Sequence, residues 1–418
     1  MSNNKSVIIV GGGPAGMMAA LSARLHTTNV TLIEKNASLG KKLMLTGSRR
    51  CNFTNLTKID QYPEHFFHGG KFLRDAFNQF SNQDTLQFFK KNGVNHKLED
   101  NRCVFPSTGH AESILEVFKK KIKQTQINLL FNRKLNKVIV KNKKISAIQL
   151  DNGRTLDCSC LILATGGVSY PHTGSNGEGL KIASRLGHQI NDLRPGLVPF
   201  QVGQKYITNL EGVSAQGAKF IFKNNDKKFK LKSKKGNFLF THNGLSGPLA
   251  LSSSSVISEW LDKSIKIQLT IDFYPGITKE ALVERLKKEI TLYPKKNINN
   301  LLGAIVTQRL GKEIIRINKV NPEKKASYIT KAEVLAIIDS LKGLHLDITG
   351  NGPIEKAMVT QGGISLKQVY PKTMESHLVS QLYFAGEILD IDGDCGGFNL
   401  QSAFSTGYCA GKHAGLSV

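Results

Sequence analysis

Three features of this 418-residue sequence predict an α/β fold built on a Rossmann-like dinucleotide-binding domain. The first forty residues read as strand, glycine-rich turn, helix, strand and acid. A second apolar strand, Leu161-Ile162-Leu163-Ala164, runs into the glycine turn Thr165-Gly166-Gly167. The same grammar returns after Gly352, so the domain is interrupted by a long segment of different character.

In the opening unit Val7-Ile8-Ile9-Val10 is an apolar run followed by Gly11-Gly12-Gly13-Pro14-Ala15-Gly16, which fits G-x-G-x-x-G. Small residues from Met17 to Leu25 predict a helix, and Val30 to Ile33 a second strand ending at Glu34. Gly11 turns the chain out of the strand, Gly13 lets backbone approach a pyrophosphate, and Gly16 lets the helix pack close to the sheet. The helix start offers unpaired N–H groups and the positive end of its dipole to phosphate. Glu34, 18 residues beyond Gly16, can accept hydrogen bonds from an adenosine ribose. Its charge would repel a 2′-phosphate, so FAD or NAD(H) is expected rather than NADP(H).

The next block, Gly40 to Asn55, is rich in small, cationic and amide residues and suits the wrapping of a polar ligand. Residues 71 to 93 carry Phe72, Ala76, Phe77 and Phe80 at helical spacing and read as a surface helix. Glu112 to Lys123 reads as a helix, and Leu129 to Val140 with Lys144 to Leu150 as a small meander. The strand at Leu161 to Ala164 should end beside the cofactor, because ligands of open α/β sheets bind at the carboxyl ends of strands. From Leu193 to about Leu269 the chain is strand-like, and Thr278 to Leu341 is helical, with a capping box at Thr330-Lys331-Ala332-Glu333. The strand Leu382 to Ala385 leads into Gly386-Glu387, and a small-residue helix follows Gly396-Gly397.

Composition is that of a globular protein, 40% apolar and 21% charged, which excludes fibrous and disordered classes. No stretch approaches the length of a membrane span, and the N-terminus has no leader pattern, so a cytoplasmic protein is expected. Six cysteines give neither a disulfide framework nor a metal spacing, and all are expected to be reduced. The net charge of +25 has two readings. It is a nucleic-acid footprint, or, the preferred reading, scattered lysines on solvated faces. The densest cluster, Lys219 to Lys235, alternates phenylalanine and lysine around a turn as a hairpin does.

Taken together, these blocks resemble the flavoproteins related to aminoacetone oxidase and 3-dehydro-bile-acid reductase, within the glutathione-reductase-like superfamily. The resemblance is carried by Gly11 to Gly16, Gly40 to Asn55, Leu163 to Gly174, Phe240 to Pro248, Ala357 to Gly363, Pro371 to Ser376 and Tyr383 to Gly411. It implies an FAD-binding domain of the GR2-like type split by an inserted β-barrel-like domain that carries a helical insert. The boundaries expected are 1–192 and 355–418 for the FAD domain, 193–277 with 342–354 for the insert, and 278–341 for its helices. It also implies that Thr46, Arg50 and Asn52 lie near the flavin and pyrophosphate, Val138 near the adenine, and Glu387, Asn399 and Leu400 at the ribityl and flavin end. With the fingerprint and the flanking loops, the cofactor set expected is Gly11, Gly13, Pro14, Ala15, Gly16, Glu34, Lys35, Lys42, Thr46, Arg50, Cys51, Asn52, Val138, Thr165, Gly166, Gly386, Glu387, Gly397, Asn399 and Leu400. In this family two glycines usually stand where this chain has Ser48 and Arg49.

One dinucleotide fingerprint leaves no dedicated nicotinamide domain, so NAD(P)H docks transiently at the flavin or the electrons leave to oxygen or another acceptor. No catalytic residue is singled out, and Tyr170, His172 and His242 read as structural or substrate-lining. The expectation is an FAD-dependent oxidoreductase acting on a small organic substrate, amine-oxidase-like or C=C-reductase-like. The alternative is a flavoprotein that binds or modifies RNA.

Overall fold

The computed structural model describes residues 6–224, 230–263 and 265–418. The chain forms two compact units: one runs up to Gly196 and resumes over Ile354–Val418, and the other is Leu197–Pro353. Each has its own apolar core.

The first unit is organised on a five-stranded parallel sheet. Its strands are β1 (Val7–Val10), β2 (Val30–Glu34), β3 (Asn128–Phe131), β4 (Cys160–Leu163) and β5 (Leu382–Phe384), in spatial order β5-β4-β1-β2-β3. Every residue of β1, β4 and β5 is buried, as expected of parallel strands covered on both faces. The helix after β1, α1 (Pro14–Ala23), lies against the C-terminal helix Phe398–Leu416. Their contact explains the small residues of both. A Cβ on Gly407 would stand 2.3 Å from the Ala15 carbonyl oxygen, and one on Gly411 2.2 Å from that of Ala19. Glycines four apart on one helix thus face alanines four apart on the other, and the two backbones touch. Two short pairings matter below: Phe66–His68 with Asp392–Gly393, and Ile190–Gly196 with Val359–Ile364.

In the second unit seven antiparallel strands form one sheet. The long strand Ser214–Asn224 pairs with Gly236–Thr241 and also with Ile267–Asp272, which closes the sheet into a barrel. Period-two alternation directs Phe220, Phe222, Leu269, Ile271, Leu344 and Leu346 into its core. Helices Lys279–Leu292, Gln308–Ile317 and Lys331–Gly343 contribute to the same core. The Thr330–Glu333 capping box is formed, with Glu333 N donating to Thr330 Oγ1 at 3.2 Å and Thr330 N to Glu333 Oε2 at 2.7 Å.

Four sequence expectations need correction or a limit. Residues 71–93 are two helices, Arg74–Gln79 and Asn82–Lys91, because Ser81 caps the second with a box to Asp84, and Ala76 and Phe77 are core rather than surface. Leu129–Phe131 belongs to β3 of the main sheet, so the meander starts only at Leu135. The strand-like stretch to Leu269 contains the helix Pro248–Asp262, whose serines return their hydroxyls to carbonyls of the preceding turn, Ser253 to Leu249 and Ser254 to Leu251. In the lysine-rich hairpin, Ile221 to Lys223 pair with Lys230 to Lys232, while its tip, residues 225–229, lies outside the described residues.

Candidate functional site

The turn after β1 is fixed by backbone geometry. Gly11 adopts φ +109°, which a side chain resists, and a Cβ there would meet the Ala164 carbonyl oxygen at 2.4 Å. A Cβ on Gly16 would lie 1.8 Å from the Gly11 carbonyl oxygen, so α1 starts flush against the turn. Gly13 differs: a Cβ there meets nothing within 4 Å. It caps α1 with Pro14 at the first position, where the missing N–H costs nothing. The result is an open cradle at a helix N-terminus with no acidic residue in the first turn.

Glu34 is buried at the end of β2. Its Oε2 accepts the Gly12 N–H at 2.7 Å, and its Oε1 accepts both Asn36 N at 2.8 Å and Asn36 Nδ2 at 2.7 Å. The carboxylate therefore holds the fingerprint turn itself, and with two donors on Oε1 and one on Oε2 it keeps one acceptor site, on Oε2, for a further donor. At the end of β4, Thr165 Oγ1 is buried with no hydrogen-bond partner, and Thr165 Cα lies 3.0 Å from a Cβ built on Gly11. The Thr165 hydroxyl itself turns toward Gly179, whose Cβ position lies 1.9 Å from it, so the feature that fits a dinucleotide's pyrophosphate is the open cradle over Gly13 at the start of α1.

A second group of residues knits distant segments together. Lys42 Nζ donates to Ser169 Oγ and Glu387 Oε2, both at 2.6 Å. Glu387 Oε1 also accepts Ser169 Oγ at 3.0 Å and Thr360 N at 2.8 Å. Gly386 N donates to Thr406 Oγ1 of the C-terminal helix at 2.9 Å, and a Cβ on Gly386 would stand 2.7 Å from that of Ala15. Ser169, Thr360 and Thr406 are further partners; all three sit inside motif blocks but carry no local mark.

The loop at 46–52 approaches the start of the C-terminal helix. Gly397 caps that helix at φ +95°, with its Cβ position 2.8 Å from Asn52 Oδ1. Asn52 Oδ1 accepts Val104 N at 3.2 Å, and Thr46 Oγ1 donates to the Leu43 carbonyl at 2.7 Å. The Arg50 guanidinium bonds both oxygens of Glu99 at 3.0 and 3.1 Å and lies 4.3 Å over the Phe105 ring. Cys51 is buried, which pushes its thiol up to about 12. Its side chain is inert, and only its backbone is available to a ligand.

The remaining expected residues are dispersed. Lys35 pairs with Glu178 at 2.8 Å. Gly166 turns at φ +74° beside Ser175. Leu400 packs on the core. Asn399 spends its amide on the loop before the helix, accepting Gly393 N and donating to Gly393 O, each at 2.8 Å. Val138 lies in a separate three-stranded sheet, opposite Ile148. Of the histidines in motifs, His172 stands edge-on to Tyr170, and exposed His242 pairs with Glu211 in the other unit.

Comparison with known proteins agrees with this architecture. The family model described as HI0933-like protein Rossmann domain matches residues 5–413. A 3-dehydro-bile acid delta(4,6)-reductase of Clostridium scindens is 28% identical over 416 residues, 97% of this chain and 98% of the relative. A ribosomal RNA dihydrouridine synthase of Haemophilus influenzae is 30% identical over 418 residues, 98% of each chain. Another, of Escherichia coli, is 29% identical over 96% of each. Among solved structures, 3-ketosteroid delta1-dehydrogenase of Sterolibacterium denitrificans superposes with TM-score 0.56 at 13% identity, over the whole of both chains, which shows the shared fold. Among the described residues no helix is long and apolar enough to cross a membrane. With the fingerprint cradle, the split parallel sheet and a full-length family match in agreement, the chain belongs to the HI0933-like family of FAD-dependent oxidoreductases.

Proposed function

We propose that this flavoenzyme saturates an electron-poor C=C bond, and that the bond belongs to a pyrimidine ring of RNA. The observation that carries the reading is the set of names borne by its full-length relatives, a delta(4,6)-reductase and ribosomal RNA dihydrouridine synthases. Dihydrouridine is uridine with hydrogen added across the ring double bond, so both kinds of name describe alkene reduction. The charge of +25 favours the polyanionic substrate, since phosphate contacts attract a cationic protein and a small enone needs no such field.

FAD, when bound, supplies hydride chemistry at flavin N5. The chain's own residues bind and orient it. The N–H groups at the start of α1 and the space over Gly13 take the pyrophosphate, and Glu34 accepts from the ribose. Lys42 and Glu387 hold the flavin end of the site closed through Ser169 and Thr360. A nicotinamide, docking transiently, is the electron donor. On this reading 1–192 and 355–418 form the FAD domain, interrupted by 193–277 with 342–354 and by helices in 278–341.

The test reduces the purified protein anaerobically with NADH or NADPH and then adds ribosomal RNA from a strain lacking this protein. Flavin reoxidation and the appearance of dihydrouridine support the reading, and both should fall steeply with salt. Reoxidation by a steroid enone but not by RNA assigns a small-molecule substrate instead. Oxygen uptake with aminoacetone, with no alkene reduced, replaces the reductase by an amine oxidase.

A further inference from the structure

We propose that His68, held by the buried carboxylate of Asp392, is the proton donor of this site, a role that rests on the C=C-reductase reading. His68 closes the short strand Phe66–His68, and its Nδ1 lies 2.5 Å from Asp392 Oδ1. Asp392 is 0% exposed, while the His68 side chain is 48% exposed, so one partner is locked in the protein and the other is presented outward. The second oxygen of Asp392 accepts Gln361 Nε2 at 2.7 Å. A carboxylate gripped on both sides has one orientation to offer, and it directs the imidazole. Among the described residues Nε2 of His68 has no hydrogen-bond partner, which leaves that nitrogen available to a substrate.

The dyad lies against the elements that build the candidate site. Gln361 follows Thr360, whose N–H donates to Glu387. Gly393, next to Asp392, is held by Asn399 in the first turn of the C-terminal helix. The neighbouring His65 stacks on Phe398 at 4.2 Å and 9°, and its backbone carbonyl accepts Asp394 N at 2.7 Å. The charged groups facing His68 are Asp392, Asp390 and Arg194. The hydrogen bond to Asp392 outweighs the opposing burial and Arg194, and holds the imidazolium above its ordinary range. The same hydrogen bond keeps the imidazolium's remaining Nε2–H aimed outward as a donor.

In the reaction the Nε2–H of His68 passes its proton to the alkene carbon that does not take the hydride. The hydride, with its two electrons, comes from flavin reduced by a nicotinamide. The double bond gains two hydrogens, the nicotinamide is oxidised, and the neutral imidazole regains a proton from water at its exposed edge.

The test uses holoenzyme with isotope-labelled histidine, in wild type, His68→Gln and Asp392→Asn. Flavin content and the rate of flavin reduction by the nicotinamide should stay within about twofold of wild type in His68→Gln, while reoxidation by uridine-containing RNA or a conjugated enone slows by about 10²–10⁴-fold. Wild-type reoxidation should be flat below the imidazolium's pKa and fall about tenfold per pH unit above it. In Asp392→Asn the nuclear magnetic resonance titration of His68 should move to lower pH, and the fall in rate should move with it. A purely structural pin between the two strands would shift the titration of His68 but leave the pH dependence of the rate where it was. Reoxidation of His68→Gln at the wild-type rate, or an unmoved titration in Asp392→Asn, overturns the dyad and leaves the reductase reading standing. If neither substrate reoxidises the wild type, the reductase reading falls and the proton-donor role falls with it.

Discussion

The turn at 11–16 and the loop at 46–52 both contain left-handed backbone, and they reach it with opposite residue choices. In the turn, φ of +109° falls on a glycine. In the loop, Gly47 is followed by Ser48 at +56°, Arg49 at +69° and Cys51 at +61°. Left-handed conformation costs a side-chain-bearing residue roughly 1–2 kcal/mol, so the loop must be held from outside. Its outside anchors are the Arg50–Glu99 pair, the Arg50 stack on Phe105 and the burial of Cys51. The turn is specified by its own residues, whereas the loop is specified by its neighbours.

The largest effects should separate two glycines of the turn, Gly16 and Gly13. Gly16→Val forces a branched side chain onto the Gly11 carbonyl and should cost about 3 kcal/mol or more by overpacking, with loss of both folding cooperativity and flavin. Gly13→Val has open space for its side chain in the protein alone. Its apoprotein should unfold within about 1 kcal/mol of wild type, the scale of an altered helix cap, yet bind no FAD. Denaturant unfolding beside flavin content reads both. A Gly13→Val protein that keeps its flavin would show that the cradle holds something else.

Next comes Glu34→Ala, which leaves the Gly12 N–H without its acceptor and should destabilise the apoprotein by about 1–3 kcal/mol. Glu34→Gln keeps an acceptor oxygen and should recover part of that loss. Equal stability of Glu34→Ala and wild type would mean that water replaces the carboxylate, and that the turn stands without it.

The same contrast explains what was legible. G-x-G-x-x-G, Glu34 and the β-branched strands lie within forty residues and obey local rules, so the parallel sheet and the cradle could be read from the chain. The capping box at Thr330 was legible for the same reason. In the Lys42–Ser169–Glu387–Thr360 network Lys42 meets Ser169 and Glu387 127 and 345 positions away; the cationic loop Gly40 to Asn55 pointed toward Lys42, and only the resemblance toward Glu387. His68, Asp392 and Gln361 were missed altogether. Nothing local marks a lone histidine that meets its carboxylate 324 positions later. The helix at Pro248 was hidden because serine is a poor helix former whose competing bonds are satisfied here within the helix.

The loop's strain makes the third test one of gain. Ser48→Gly and Arg49→Gly each remove a left-handed penalty while adding chain entropy to the unfolded state, so a net stabilisation of about 0.5–1 kcal/mol is expected for each. Thermal unfolding checks it. Destabilisation by either glycine would show that the side chains of the loop, and not its neighbours, hold its shape.

The smallest effect concerns the charged rim of the fingerprint, where Lys35 follows Glu34. Glu178 lies between Lys134 at 2.6 Å and Lys35 at 2.8 Å. Burial pushes the Glu178 carboxyl up, but the two ammonium groups more than reverse this and bring it from the ordinary 4.5 down to about 2. A carboxylate depressed on folding contributes stability that is fully present above its unfolded value and is lost as pH falls from about 4.5 through about 2. With a third of the side chain exposed, solvent screening reduces that contribution to about 1 kcal/mol or less. Glu178→Gln should therefore melt slightly below wild type at pH 6, and the gap should narrow below pH 4.5 and vanish near pH 2. The gap at pH 6 should also shrink in high salt, as it does for exposed pairs and not for the buried Glu34–Gly12 bond. A gap unchanged between pH 6 and pH 2 would assign Glu178 a packing role rather than an electrostatic one, and Lys35 would then be free of it when a ligand's phosphate or ribose arrives.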